Sequence, residues 1–128
     1  MSSSENIKAR VLYIEDNPAN IKLMQDIFAE FLPYDLLCAM NARDGIEIAQ
    51  KEQPGMILMD INMAEMNGFE ALAVLQQSPA FSTTPVIAVS GDAMPEQIEK
   101  ALAAGFSDYV SKPFNVMELI DTIKQKLN

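Results

Sequence analysis

Five short apolar runs recur along this chain, and a segment of helical spacing follows each one. Parallel strands need crossover connections, the crossovers are right-handed, and helices then cover both faces of the sheet. Regular alternation of strand and helix therefore restricts the chain to the α/β class with a parallel sheet. Five such units in 128 residues fit an open, doubly wound sheet, because a closed barrel of this kind takes eight. No internal repeat, low-complexity tract or linker interrupts the series. One domain is expected over 9–127, preceded by a flexible polar tail at 1–8.

Local signals place the units. Residues 10–15, Arg-Val-Leu-Tyr-Ile-Glu, are rich in strand formers, and Asp16-Asn17-Pro18 then gives an N-cap with proline in the first helical turn. Ile21, Met24, Ile27, Phe28 and Phe31 form one apolar helical stripe, which Pro33 ends. A second strand is expected at 34–39 and a second helix at 42–51, with Ile46, Ile48 and Ala49 inward. Met56-Ile-Leu-Met59 has no polar alternation, as expected of a strand covered on both faces. Asn67-Gly68 leads into a helix at 69–77, and a fourth strand is expected at 85–89. A helix at 95–104 stops at Gly105, a short strand is expected at 108–110, and a last helix at 116–127.

In such a sheet, ligands bind outside the carboxyl ends of the strands. The polar residues found there are Glu15 and Asp16 after the first run, Asp60 after the third, Ser90 after the fourth and Lys112 after the fifth. Three carboxylates so close repel and desolvate one another and need positive charge to stay ionised. A hard divalent cation with oxygen ligands, Mg²⁺ (or Mn²⁺), meets that need and accepts phosphate oxygens as well. The set suits a phosphoryl group. One carboxylate serves as nucleophile, the cation and Lys112 neutralise the equatorial oxygens, and the hydroxyl donates to one of them. Each residue alone has a blander reading: Asp16 as a helix cap, Lys112 beside Pro113 as a turn residue, Met56, Met59, Met63 and Met66 as packing. Joint placement at four strand ends, with complementary charge, is what points to a site.

Composition removes whole classes of function. There is no histidine, so a Ser-His-Asp triad and a histidine-bearing zinc site are excluded. Cys38 is the single cysteine and makes no internal disulfide. A net charge of −9 provides no electrostatic footprint for nucleic acid or an anionic membrane, and no apolar run approaches the length of a membrane span. Residues 1–6 lack the pattern of a signal peptide, and a cytoplasmic domain is expected.

The sequence resembles the receiver domains of two-component response regulators. The resemblance rests on Val11-Leu-Tyr-Ile-Glu-Asp-Asn17, Ile57-Leu-Met-Asp-Ile-Asn-Met63 with Asn67-Gly68, Val89-Ser-Gly91 and Asp108-Tyr-Val-Ser-Lys-Pro-Phe114, and covers the chain from Ala9 to Leu127. It implies a flavodoxin-like (βα)5 sheet of order 2-1-3-4-5. It implies a phosphorelay switch in which Asp60 accepts a phosphoryl group from a histidine kinase or a histidine phosphotransfer protein. Glu15 and Asp16 match the acidic pair that holds Mg²⁺, and Asn62 matches the position whose backbone carbonyl is a further ligand. Ser90 matches the hydroxyl that moves to the phosphoryl group, Tyr109 the aromatic that swings inward with it, and Lys112 the family's lysine, with a cis bond to Pro113. The family's switch repacks the surface of the fourth helix, fifth strand and fifth helix.

This chain departs from the family pattern at three uncharged places. Met63 is followed by Ala64 where proline is common, Asn67 stands where aspartate is common before the loop glycine, and Pro54-Gly55 replaces Pro-Asp. Ala64 removes a rigid turn residue, so a more mobile loop beside Asp60 is expected. Glu15 keeps the charge of the acidic pair on a longer arm. Rival functions fit less well. A haloacid-dehalogenase-type hydrolase would need its general acid where Asn62 stands, and a flavin would be repelled by Glu15 and Asp16. A receiver that only mediates contacts is disfavoured by intact Asp60, Asp16 and Lys112. The switch is expected to act on a downstream protein target or, as part of a hybrid sensor kinase, on its own kinase domains.

Overall fold

The computed structural model describes residues 9–127. The tail expected at 1–8 lies outside the described residues. Five parallel strands, β1 (Arg10–Ile14), β2 (Asp35–Ala39), β3 (Met56–Asp60), β4 (Val86–Ser90) and β5 (Asp108–Ser111), form one sheet of order β2-β1-β3-β4-β5. Between and after them run α1 (Pro18–Phe31), α2 (Ala42–Glu52), α3 (Gly68–Gln76), α4 (Pro95–Ala104) and α5 (Val116–Leu127), with a short 3₁₀ turn at Pro79–Phe81. This is the flavodoxin-like arrangement, and the order reverses between β1 and β3.

Strand alternation divides the core into two layers. Val11, Tyr13, Met56, Leu58, Ile87 and Val89 meet Met24, Ile27 and Phe28 of α1 and Leu119, Ile120 and Ile123 of α5. Leu12, Ile14, Ile57, Met59, Val86 and Ala88 point to the opposite face, which α2, α3 and α4 cover through Ile46, Leu72, Leu75 and Ala101. Every residue of β3 and β4 is buried, which is why these strands read as continuous apolar runs.

The helices begin where their capping residues stand. Asn17 accepts from the amides of Ala19 and Asn20, and Pro18 follows as the first helical residue. Asn41 caps α2. Asn67 and Glu70 form a reciprocal capping box at α3, so that helix starts at Gly68, one residue earlier than the sequence suggested. Phe31, placed on the inward stripe of α1, is half-exposed instead. It is the last helical residue, and the extended Leu32 turns into the core in its place.

Gly68 fixes the loop that follows Asp60. A Cβ there would stand 2.7 Å from the Ile61 Cα and 3.1 Å from the Asp60 carbonyl oxygen. Both obstacles are at the backbone level, so a side chain cannot simply rotate away. Gly68→Ala is expected to lower stability by about 1–3 kcal/mol, read as a lower urea midpoint. An unchanged midpoint would mean that the loop yields freely.

Candidate functional site

The sheet register brings Asp60 beside the end of β1. Tyr13 pairs with Leu58 and Ile14 with Met59, so Glu15 falls next to Asp60 one step further on. Glu15 and Asp60 share the strand parity of Tyr13 and Leu58 and therefore project toward the α1–α5 side. Lys112 lies two residues beyond Val110, which belongs to that layer too. Ser90 and Tyr109 have the opposite parity, and Tyr109 packs against the α2–α4 layer. Strand parity thus places two carboxylates and an ammonium on one side of the crevice and a hydroxyl and an aromatic on the other.

The carboxylates of Glu15, Asp16 and Asp60 offer oxygens that all lie within 4.8 Å of one another. Glu15 and Asp60 are buried and Asp16 is exposed. The Lys112 ammonium donates to Glu15 Oε1 at 2.9 Å and to Asp60 Oδ2 at 3.1 Å. Burial alone would push its pKa down, but the hydrogen bonds and charges of Glu15 and Asp60 outweigh that, and the net shift is upward. Lys112 is therefore a cation at neutral pH. Its bond to Pro113 is cis, as the resemblance implied. Three acids and one ammonium leave the cluster negative, and the donor set is all oxygen, which suits a hard divalent cation.

The hydrogen-bond partners orient each side chain. The Asn62 amide N–H donates to Asp60 Oδ1 at 2.9 Å, within the turn that carries the chain out of β3. Ser90 Oγ accepts from Asn62 Nδ2 and from the Asp92 amide, both at 3.1 Å. A hydroxyl that accepts two bonds keeps its own O–H for donating. The Tyr109 hydroxyl donates to the Asp92 carbonyl oxygen. The seven residues singled out from the sequence thus all come to the carboxyl edge of the sheet, although Asn62 reaches Ser90 with its side chain as well.

Sequence reading missed Tyr13. Its hydroxyl donates to Glu15 Oε1 at 2.7 Å from a fully buried position. Burial comes first among the causes that push this hydroxyl's pKa far up, followed by the Glu15 hydrogen bond and charge, so it stays protonated. The signal was present in the strand, since a tyrosine two residues before a buried acid lies on the same face. Asp92 links Ser90 to Tyr109 through its backbone, its amide donating to Ser90 and its carbonyl accepting from Tyr109.

An acidic, all-oxygen cluster with one lysine thus stands at the carboxyl edge of a 2-1-3-4-5 sheet, where open α/β sheets bind their ligands. Residues 11–124 match the response regulator receiver domain. The chain belongs to that family, the receivers of two-component signalling. It is 37% identical over 113 residues to the signal transduction histidine-protein kinase BarA of Escherichia coli (strain K12), covering 88% of this chain and 12% of BarA. The chain thus spans about an eighth of that relative. It is 35% identical over 117 residues to the polar-differentiation response regulator DivK of Brucella anthropi, covering 91% of this chain and 94% of DivK. Among solved structures, the receiver domain of the sensor histidine kinase PA1611 from Pseudomonas aeruginosa PAO1 superposes with a TM-score of 0.85 at 25% identity, covering 94% of this chain and 98% of that one. That crystal structure has a magnesium ion coordinated in its active site cleft. Among the described residues of this chain, no helix is long and apolar enough to cross a membrane.

Proposed function

We propose that this chain is a phosphorelay switch in which Asp60 takes a phosphoryl group from a phosphohistidine. The observation that carries the reading is the Lys112 ammonium held between Glu15 and Asp60, two of three carboxylates, with Asp16 the third, whose oxygens lie within 4.8 Å of one another. An Asp60 carboxylate oxygen forms the new O–P bond, the P–N bond of the phosphohistidine breaks, and its electron pair stays on the imidazole nitrogen. Lys112 neutralises charge on the phosphoryl oxygens, and the free O–H of Ser90 donates to one of them.

Glu15, Asp16 and Asp60, with the Asn62 backbone carbonyl, are the proposed ligands of Mg²⁺ (or Mn²⁺). When bound, the cation offsets the negative charge that gathers as the phosphoryl group transfers. The magnesium in the PA1611 receiver supports this assignment.

Readout passes through Ser90. The Asp92 amide donates to Ser90 Oγ, and the Asp92 carbonyl accepts from Tyr109. Drawing Ser90 toward the phosphoryl group therefore disturbs the partner of Tyr109, which lies on β5 between α4 and α5. The surface that changes is that of α4, β5 and α5. The donor is a histidine kinase or a histidine phosphotransfer protein, and the recipient of the signal is a downstream protein target or the chain's own kinase domains. Likeness to both DivK and BarA supports these two settings. The reading has the chain working in the cytoplasm, without nucleic acid or membrane as a partner and without an independent enzymatic activity beyond assisting its own phosphorylation and dephosphorylation.

The metal assignment is tested by titrating Mg²⁺ or Mn²⁺ calorimetrically into the wild type and Asp16→Ala. The variant should bind about tenfold more weakly or worse, while its thermal stability changes little because Asp16 is exposed. An unchanged isotherm would remove Asp16 from the site.

A further inference from the structure

Tyr13 is fully buried among Met24, Met56, Leu58 and the other apolar side chains of the α1–α5 layer. A phenylalanine would fill that space with no polar atom to satisfy. The hydroxyl that tyrosine adds needs a partner when buried, and Glu15 Oε1 is that partner at 2.7 Å. The same Oε1 accepts from Lys112, and Oε2 accepts from the Asn17 amide at 3.2 Å. Three donors, two on Oε1 and one on Oε2, hold a buried carboxylate.

Glutamate has one more rotatable bond than aspartate, so a Glu15 carboxylate left to itself spreads over more positions. The Tyr13 hydroxyl comes from within β1, which pairs with both β2 and β3, while Lys112 lies beyond the end of β5 and Asn17 caps α1. Supporting partners of this kind commonly set the orientation of a metal-binding group. We infer that Tyr13 is a positioning residue for the cation site: its hydroxyl fixes the Glu15 carboxylate so that its oxygens meet the divalent cation already ordered. The inference rests on the reading of Glu15, Asp16 and Asp60 as a cation site.

Tyr13→Phe isolates the hydroxyl, because the ring and its packing remain. The probe is Mn²⁺, followed by the electron paramagnetic resonance of the free ion, with thermal unfolding in chelator run in parallel. Tyr13→Phe should weaken Mn²⁺ binding about tenfold while the metal-free melting temperature stays near that of the wild type. Because Tyr13 acts through Glu15, adding Tyr13→Phe to Glu15→Gln should weaken binding far less than it does alone. Equal Mn²⁺ affinity of wild type and Tyr13→Phe would overturn the inference and leave the cation site standing. An equal loss in the Glu15→Gln background would overturn it too, since the effect would then bypass Glu15. A lowered melting temperature with unchanged affinity would assign Tyr13 a purely structural role. Absence of saturable Mn²⁺ binding by the wild type would instead bring down the cation-site reading, and this inference with it.

Discussion

Asp60→Asn is expected to take up no phosphoryl group from an acyl phosphate donor and to keep its fold. The carboxamide is nearly isosteric with the carboxylate, but it is a poor nucleophile, and no other described carboxylate has Asp60's combination of burial and a lysine at 3.1 Å except Glu15, which is already held by three donors. Incorporation of radiolabelled phosphate should therefore fall to background. Folding should survive for a specific reason. The substitution loses the Lys112–Asp60 ion pair and at the same time removes one of three mutually repelling charges. These changes oppose each other, and a net shift within about 1 kcal/mol is expected, read from urea unfolding in chelator. Labelling equal to the wild type would exclude Asp60 as the acceptor.

Lys112→Ala should show the opposite signature, a large loss of stability with only partial loss of labelling. Among the described residues, Lys112 is the only cation bonded to the acidic cluster. Without it, Glu15 remains fully buried with its charge supported only by the Tyr13 hydroxyl and the Asn17 amide. Stranding one member of a buried pair costs about 3–5 kcal/mol, and the partial solvent contact of Lys112 brings the expected loss to about 2–3 kcal/mol. Because the lysine pKa is raised in the folded state, its contribution is fully present below the ordinary lysine value and is lost only as pH rises through the raised one. The loss should therefore be undiminished between pH 6 and pH 9. Mg²⁺ should recover part of it, because a ligand that binds only the folded state stabilises that state. Some phosphoryl uptake should remain, but without a change in affinity for the partner protein. Urea unfolding with and without Mg²⁺ checks the first part, and partner binding before and after phosphorylation checks the second. A variant as stable as the wild type in chelator would show that the cluster does not depend on Lys112 for its charge balance.

Much of the site was legible because strand geometry converts sequence position into place. Glu15, Asp60, Ser90 and Lys112 follow apolar runs, and parallel strands bring the ends of such runs to one edge. The boundaries were less legible. Asp60, Ser90 and Ser111 are the last residues of their strands rather than the first beyond them. Their polar side chains argue for a loop, but strand pairing is decided by neighbours: Asp60 pairs with Val89 and Ser90 with Ser111. The internal wiring was hardly legible at all. The bond from Asn62 to Ser90 spans 28 residues, and that from Tyr109 to Asp92 spans 17, so neither follows from local spacing. Tyr13 was hidden differently. In a run of strand formers it counts as an apolar residue, and only the acid two positions later gives its hydroxyl a purpose. Phe31 failed because helical spacing fixes direction but not how far the helix runs before the chain turns away.

Metal-dependent phosphoryl transfer to Asp60 is read from the intact mass of the wild-type protein after incubation with an acyl phosphate and Mg²⁺, with and without chelator. Borohydride reduction and peptide mapping then locate the adduct. A single phosphoryl group is expected, absent in chelator and mapped by conversion of Asp60 to homoserine. An adduct that forms equally well in chelator, or that maps to a hydroxyl or to another carboxylate, would contradict it.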